Sequence, residues 1–312
     1  MARTLAIANW LLRFLAGWLG LAIIATYLPH WGWRFELISH FRPYFVVVLL
    51  IVGCLFGLQR HWSWLGLAAL PLLLGLTSLV PFYINPSRAV ADQDKVVYRV
   101  LAFNVYFRSD NYAALLDLVA DSDPDIIVLT EVTADWREGL RDLMTTYPYT
   151  HFVGYPLGTM LYSRYPILMA AYVVDEVRPS LTATLDLGDH HLNVVGVHAM
   201  APMSPKQADQ RNQTLDNLAQ YVEMHTTPLI LLGDFNITPW SPIMQRFLRE
   251  TRLRDGRMGY GLVPTWPSHQ WLKIPIDYAL VSDDISVHHF ERGPRIGSDH
   301  YPILIDFWIQ AE

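Results

Sequence analysis

Polar residues that bind metals or move protons recur just past short apolar runs. Asn104 follows Val-Leu-Ala-Phe, Glu131 follows Ile-Ile-Val-Leu-Thr, and His198 follows Asn-Val-Val-Gly-Val. Asp234 and Asn236 follow Leu-Ile-Leu-Leu-Gly, Asp277 opens Asp-Tyr-Ala-Leu-Val, and Asp299 and His300 lie in Gly-Ser-Asp-His-Tyr-Pro. Glu131, with Asn104 and Asp299, offers hard oxygen donors that suit Mg²⁺ or Mn²⁺, ions that keep several waters. A divalent ion beside a phosphoryl oxygen offsets its charge. Asp234 can position or deprotonate a water, and Asn236 can hold that water or a phosphate oxygen. His300 can donate to the phosphoryl group, with Asp277 orienting its ring. His198 is a second donor, to the leaving group or to a non-bridging oxygen. Each piece alone has a plainer reading, such as a cap for Glu131 or an Asx turn for Asp-Phe-Asn. The ordered set is what reads as metal-assisted attack on a phosphate ester.

Strand ends are rigid positions from which loops present functional groups. Alternating or buried apolar runs predict strands at 96–103, 126–129, 159–162, 168–174, 181–187, 192–197, 229–232, 276–281 and 303–309. Helical spacing predicts helices at 112–120, 134–144 and 207–224. Strands outnumber helices and do not alternate cleanly with them. That favours two mixed sheets with helices outside over a doubly wound parallel sheet.

Only 17% of residues are charged, against about 25% in a typical soluble domain. The single cysteine, Cys54, excludes an intrachain disulfide framework and a cysteine zinc site. Residues 1–90 hold six arginines, one glutamate and no lysine, while the remainder holds 17 basic and 28 acidic residues, a net of −11. Three apolar segments, at about 5–28, 42–58 and 62–83, approach or meet the roughly 20 residues a spanning helix needs. Trp31, Trp33, Tyr44, Trp62, Trp64 and Tyr83 stand near their ends, as an interfacial belt does. The first segment is long, lacks an evident cleavage site and has two successors, so a signal peptide is the poorer reading. The expected organisation is a three-helix transmembrane anchor over 1–84, a polar linker over 85–95 and a catalytic domain over 96–312. Arginines are nearly balanced between the two sides, and the domain is expected outside the cytoplasm.

The soluble part resembles the endonuclease/exonuclease/phosphatase superfamily, the DNase-I-like fold. The matching stretches are L-A-F-N-V at 101–105, D-I-I-V-L-T-E at 125–131, L-Y-S-R-Y-P-I at 161–167 and V-V-G-V-H at 194–198, followed by L-L-G-D-F-N at 231–236, I-D-Y-A-L-V at 276–281 and G-S-D-H-Y-P at 297–302. The resemblance implies a four-layer α/β sandwich and a divalent metal. It implies Glu131 as the main metal ligand with Asn104 and Asp299 near it, Asp234 and Asn236 around the nucleophile, and His300 paired with Asp277. His198 is similar in position to the second histidine of the DNase and sphingomyelinase-like branches. The membrane segments resemble the membrane-bound bacterial branch, some members of which are linked to lipid-carrier phosphates and glycopeptide resistance. That branch implies a multi-pass protein of the bacterial inner membrane.

Fold does not settle substrate. A nuclease needs a basic surface, and an acidic domain speaks against one. The cluster Arg246, Arg249, Arg252, Arg254 and Arg257, interrupted by Glu250 and Asp255, is either a solvated helix face and turn or a clamp for anions. Trp266 and Trp271 are either loop packing or an aromatic lip, and Met200, Pro202 and Met203 either pack or guide a lipid chain. The expected partners are the lipid bilayer and a phosphate-ester substrate, lipid-linked such as a polyprenyl diphosphate or a phospholipid headgroup. A membrane-tethered nuclease is the first alternative, and a non-catalytic membrane binding protein the second. No protein partner is inferred.

Overall fold

The structure, a computed structural model, describes residues 2–27, 32–84, 95–154, 156–175, 177–225 and 228–310. All but Lys95 of the expected linker, together with Leu28 and Trp31, lie outside the described residues. The chain divides into two compact units, Met1–Ile84 with Thr238–Gln245, and Asn85–Ile237 with Arg246–Glu312.

The first unit is built on α1 (Ala2–Ala25), α2 (Trp33–Ser39), α3 (Arg42–Leu58) and α4 (Trp62–Leu79). Two stretches, Ala6–Ala25 and Trp62–Phe82, are long and apolar enough to cross a membrane. The expected helix at 42–58 forms as α3 with those bounds, but at 17 residues it is too short to cross alone and meets α2 at a 58° bend, so the pair is a broken span or a re-entrant turn. Apolar side chains point outward, with Leu21 69% and Leu67 67% exposed. A water-soluble bundle would bury these side chains instead. Small residues let the helices approach: a Cβ on Gly75 would meet Val46 Cγ2 at 2.4 Å, the kind of contact that replaces the hydrophobic effect in lipid. Buried Arg42 donates from Nε and Nη2 to Thr26 Oγ1 and from Nη2 to Thr26 O, satisfying the end of α1.

The second unit holds two six-stranded sheets. The first sheet contains β1 (Tyr98–Asn104), β2 (Ile126–Val132), β3 (Tyr149–Val153), β4 (Gly158–Ser163), β11 (Ile285–Arg292) and β12 (Ile303–Ile309), ordered β11-β12-β1-β2-β4-β3. The second contains β5 (Ile167–Val173), β6 (Ser180–Asp186), β7 (His191–His198), β8 (Leu229–Asp234), β9 (Arg254–Asp255) and β10 (Asp277–Val281), ordered β5-β6-β7-β8-β10-β9. Each sheet has one central parallel pair, β1 with β2 and β7 with β8, and antiparallel neighbours. Alternate residues of one strand serve two cores. Val100 and Ala102 pack with Val194, Ile230 and Ala279 between the sheets. Leu101 and Phe103 pack outward with Leu115 and Trp136 of α5 (Tyr112–Ser122) and α6 (Ala134–Gly139). Strands buried on both faces read as continuous apolar runs, and each fully buried aliphatic side chain contributes about 1.5–3 kcal/mol. On the second sheet α8 (Pro205–Glu223) packs beside β5, its cap Ser204 accepting from Gln207 N. The expected helix at 134–144 is broken into α6 and α7 (Leu143–Thr146). Gly139 ends α6 against the Tyr112 ring, where a Cβ would sit 2.6 Å away, and glycine is a poor helix former.

Candidate active site

The two parallel pairs bring their carboxyl ends together. Asn104 ends β1 as the register partner of Thr130 in β2, the residue before Glu131. His198 and Asp234 are register partners at the ends of β7 and β8, and Asp277 faces Asp234 from the start of β10. Neighbouring strands lie about 4.8 Å apart, so in-register side chains on one face meet. Antiparallel β12 starts where β1 ends, with Ile303 opposite Ala102, and so delivers Asp299 and His300 to the same place. Ser298 fastens that arrival: its Oγ donates to Asn104 O at 2.7 Å and accepts from His300 N at 3.0 Å. Gly233 is required just before Asp234, because its φ is +127° and a Cβ would stand 2.2 Å from Val197 O.

Glu131 sits in a bulge where the β2–β4 register shifts between Leu129 and Val132, at φ +60°. A non-glycine residue there costs about 1–3 kcal/mol, and the bulge re-aims the side chain. Phe107 N donates to Glu131 Oε2 at 3.0 Å and Asn104 Nδ2 to Oε1 at 3.2 Å, fixing the carboxylate. Asn104 Nδ2 also donates to Asp234 Oδ2 at 3.1 Å, tying the first sheet to the second. Asn236 donates from its backbone N to Asp234 Oδ1 at 2.9 Å, and from Nδ2 to Asp234 Oδ2 at 3.2 Å and to Ala199 O at 3.0 Å. His300 Nδ1 lies 2.9 Å from Asp277 Oδ2, and its Nε2 lies 3.6 Å from Asp234 Oδ2.

Burial pulls the His300 imidazole down, but the Asp277 and Asp234 charges and the Asp277 hydrogen bond outweigh it and push it up to about 10. Burial pushes the Asp234 carboxyl up to about 7, with Asp277 and Glu131 adding to the rise and His300 opposing it. His198 is held well below the usual imidazole range, by burial first and then by Arg178 and His300. Its Nε2 lies 3.5 Å from Glu131 Oε1, a contact of a neutral ring and not an ion pair.

Residues spread along the chain therefore meet in space: Asn104, Glu131, His198, Asp234, Asn236, Asp277 and His300. Asp299 joins through its charge on His300, while its carboxylate accepts from Trp266 Nε1 at 3.1 Å. The donor chemistry fits a hard divalent ion, since a cation relieves carboxylates that resist ionising together. Asp234, Asp277 and His300 have ligand atoms within 4.8 Å of one another and can hold a metal. Part of that closeness is the Asp277–His300 hydrogen bond, which already satisfies the two atoms it joins.

Two contributors have no signal at a strand end. Arg178, before β6, sets Nη1 2.6 Å from His198 Nε2. An arginine always carries its protons, so it donates and His198 Nε2 accepts, which takes that nitrogen away from the donor role expected of it. Trp266 orients Asp299, so one of the two expected lip residues touches the site, whereas Trp271 is 84% exposed. Three of the five arginines of the cluster are engaged by protein partners. Arg257 is buried against Asp255, Arg254 binds Asp283 and Ile285 O, and Arg246 binds Asp216.

The profile of the Endonuclease/Exonuclease/phosphatase family matches residues 101–300. Among curated proteins, none matches the chain by sequence. Among solved structures, an endonuclease/exonuclease/phosphatase from Bacteroides vulgatus superposes with a TM-score of 0.58 at 17% identity, covering 69% of this chain and all (100%) of that one. A humanized D. rerio TDP2 superposes with a TM-score of 0.57 at 17% identity, covering 68% of this chain and 98% of that one. Truncated Caenorhabditis elegans TDP2 gives 0.56 at 16% identity, with 68% and 98% covered. At these identities the likeness is one of fold. The match over residues 101–300, on two facing sheets whose strand ends gather these carboxylates and histidines, places the chain in the endonuclease/exonuclease/phosphatase family, the metal-dependent phosphoric ester hydrolases.

Proposed function

We propose that this protein is a membrane-bound phosphoesterase acting on a lipid-linked phosphate ester or diphosphate, such as a polyprenyl diphosphate or a phospholipid headgroup. One observation carries the reading: the chain that holds the hydrolase site also holds two long apolar helices whose side chains are exposed. With the bent pair α2–α3 as a third crossing, residues 1–84 form the anchor, 85–95 the linker and 96–312 the catalytic domain. The bacterial inner membrane is the location, with the catalytic domain outside the cytoplasm.

Mg²⁺ or Mn²⁺ would be held by Glu131 with Asn104 and Asp299 and, when bound, would offset charge on a phosphoryl oxygen. Water adds to phosphorus and gives its proton to Asp234, which a carboxyl near 7 can hold around neutrality, while the P–O bond to the leaving group breaks and that oxygen departs with the bonding pair, taking a proton from solvent. Asn236 Nδ2 holds Asp234 in place. Asp277 holds His300 through Nδ1, so that a charged Nε2–H is offered to the phosphoryl oxygen.

A tethered nuclease is the second reading, favoured by one likeness: a fold relative is D. rerio TDP2 complexed with a single-strand DNA product. Against it, three of the five arginines of the 246–257 cluster are held by Asp216, Asp283 and Asp255. The test is the full chain in detergent with Mg²⁺, assayed on a polyprenyl diphosphate and on plasmid DNA. Phosphate release from the lipid alone is expected, with His300→Ala losing about 100-fold or more in rate. Glu131→Ala should lose turnover and bind Mg²⁺ more weakly. DNA nicking without lipid hydrolysis would replace the proposal with the second reading.

A further inference from the structure

The carboxylate cluster has a cation beside it that neutralises none of it. Arg178 sets Nη1 2.6 Å from His198 Nε2 and 3.3 Å from Nδ1, and among the described residues no carboxylate forms an ion pair with it. Its Nε and Nη2 donors have no protein partner there. A guanidinium resting on His198, itself 3.5 Å from Glu131 Oε1, would ordinarily spend its fork on a carboxylate.

The position is built. Asp175 Oδ1 accepts from Val177 N at 2.9 Å and from Arg178 N at 3.2 Å. Asp175 Oδ2 accepts from Thr214 Oγ1 at 2.5 Å, which pins the segment to α8. Thr214 is buried. The backbone of Arg178 is thus fastened at one end and its Nη1 at the other. His198, one contact from Glu131, is the buried stop against which Arg178 rests. What remains free is a planar pair of N–H donors of the shape that a phosphate oxygen pair accepts.

We propose that Arg178 binds a non-bridging oxygen of the substrate phosphate and makes the enzyme prefer a terminal phosphoryl group with two negative charges over a singly charged diester. A dianion set among carboxylates gains more from a fixed guanidinium than a monoanion does. His198 is then the positioning residue for Arg178. This rests on the phosphoesterase reading of the site and not on the substrate being a lipid, and the test uses lipid-free probes.

Binding of inorganic phosphate and of dimethyl phosphate to the full chain in detergent with Mg²⁺ is measured by calorimetry for wild type, Arg178→Lys and Arg178→Ala. Charge-assisted hydrogen bonds of about 1.5–3 kcal/mol correspond to a loss of about 10- to 100-fold in phosphate affinity for Arg178→Ala. Dimethyl phosphate should weaken less than about 3-fold, and Arg178→Lys should fall between, keeping charge without the fork. In turnover, Arg178→Ala should raise KM for p-nitrophenyl phosphate far more than for its bis-ester, and added guanidinium chloride should restore part of the loss. Equal losses on both probes, unchanged phosphate affinity in Arg178→Ala, or no phosphate binding by the wild type overturns the proposal. If Arg178→Ala melts below wild type, Arg178→Lys decides by the same comparison. Failure on lipid substrates with these results intact would sink the lipid reading alone.

Discussion

His198 and His300 share one buried cluster and stand on opposite sides of their titration. Burial, Arg178 and His300 together keep His198 neutral, while two carboxylates overcome burial and keep His300 charged up to about 10. The sign follows from the shifts. A raised imidazole keeps its proton as pH climbs, and a lowered one has already lost it at neutrality. In metal-free protein at pH 7.5, nitrogen NMR should show His300 protonated at both ring nitrogens and His198 neutral with its proton on Nδ1. In Asp277→Asn the His300 value should fall toward the ordinary range. A neutral His300 at pH 7.5 in the wild type would contradict this electrostatic picture. The site residues were legible because each closes or opens an apolar run. Arg178 was not, because its role depends on meeting His198, 20 residues on.

At the scale of the element, the site depends on how closely β7 and β8 approach. Gly233 at φ +127° leaves no room for a Cβ against Val197 O, and the next residue is Asp234. Gly188 has φ +92° with nothing within 4 Å of its would-be Cβ. Gly188→Ala therefore tests backbone strain alone, a loss of about 1–2 kcal/mol, while Gly233→Ala adds a backbone clash. Gly233→Ala should melt lower than Gly188→Ala and also lose turnover, since the His198–Asp234 register must part. Equal melting shifts would show that the close approach is unimportant. The strands that end in functional residues were readable from their apolar runs. Half-exposed β3 and β11 were not, and the shift between Val287 and His289 breaks the alternation that reveals a strand.

At the scale of the whole molecule, a hydrolase site and apolar helices share one chain. Hydrophobic insertion is insensitive to salt and alkali, unlike adsorption by surface charge. The full chain should stay with membranes through high salt and alkaline carbonate and leave only with detergent. Release by carbonate would mean that the helices do not cross.

Residue types, their order and the apolar runs between them are local properties, so the sequence alone determined the hydrolase class, the two-sheet fold, the strand ends that carry the candidate site residues and the apolar character of the first 84 residues. Contacts between distant segments have no local signature. Only the tertiary structure decided that Arg257 is buried with Asp255 and unavailable to an anion, that α3 is bent from α2, that Glu131 is turned by a bulge, and that Arg178 rests on His198. Each of these is set by pairing register or packing between segments far apart in the chain, where the cost of burying a charge or straining a backbone is balanced by partners the linear order does not name.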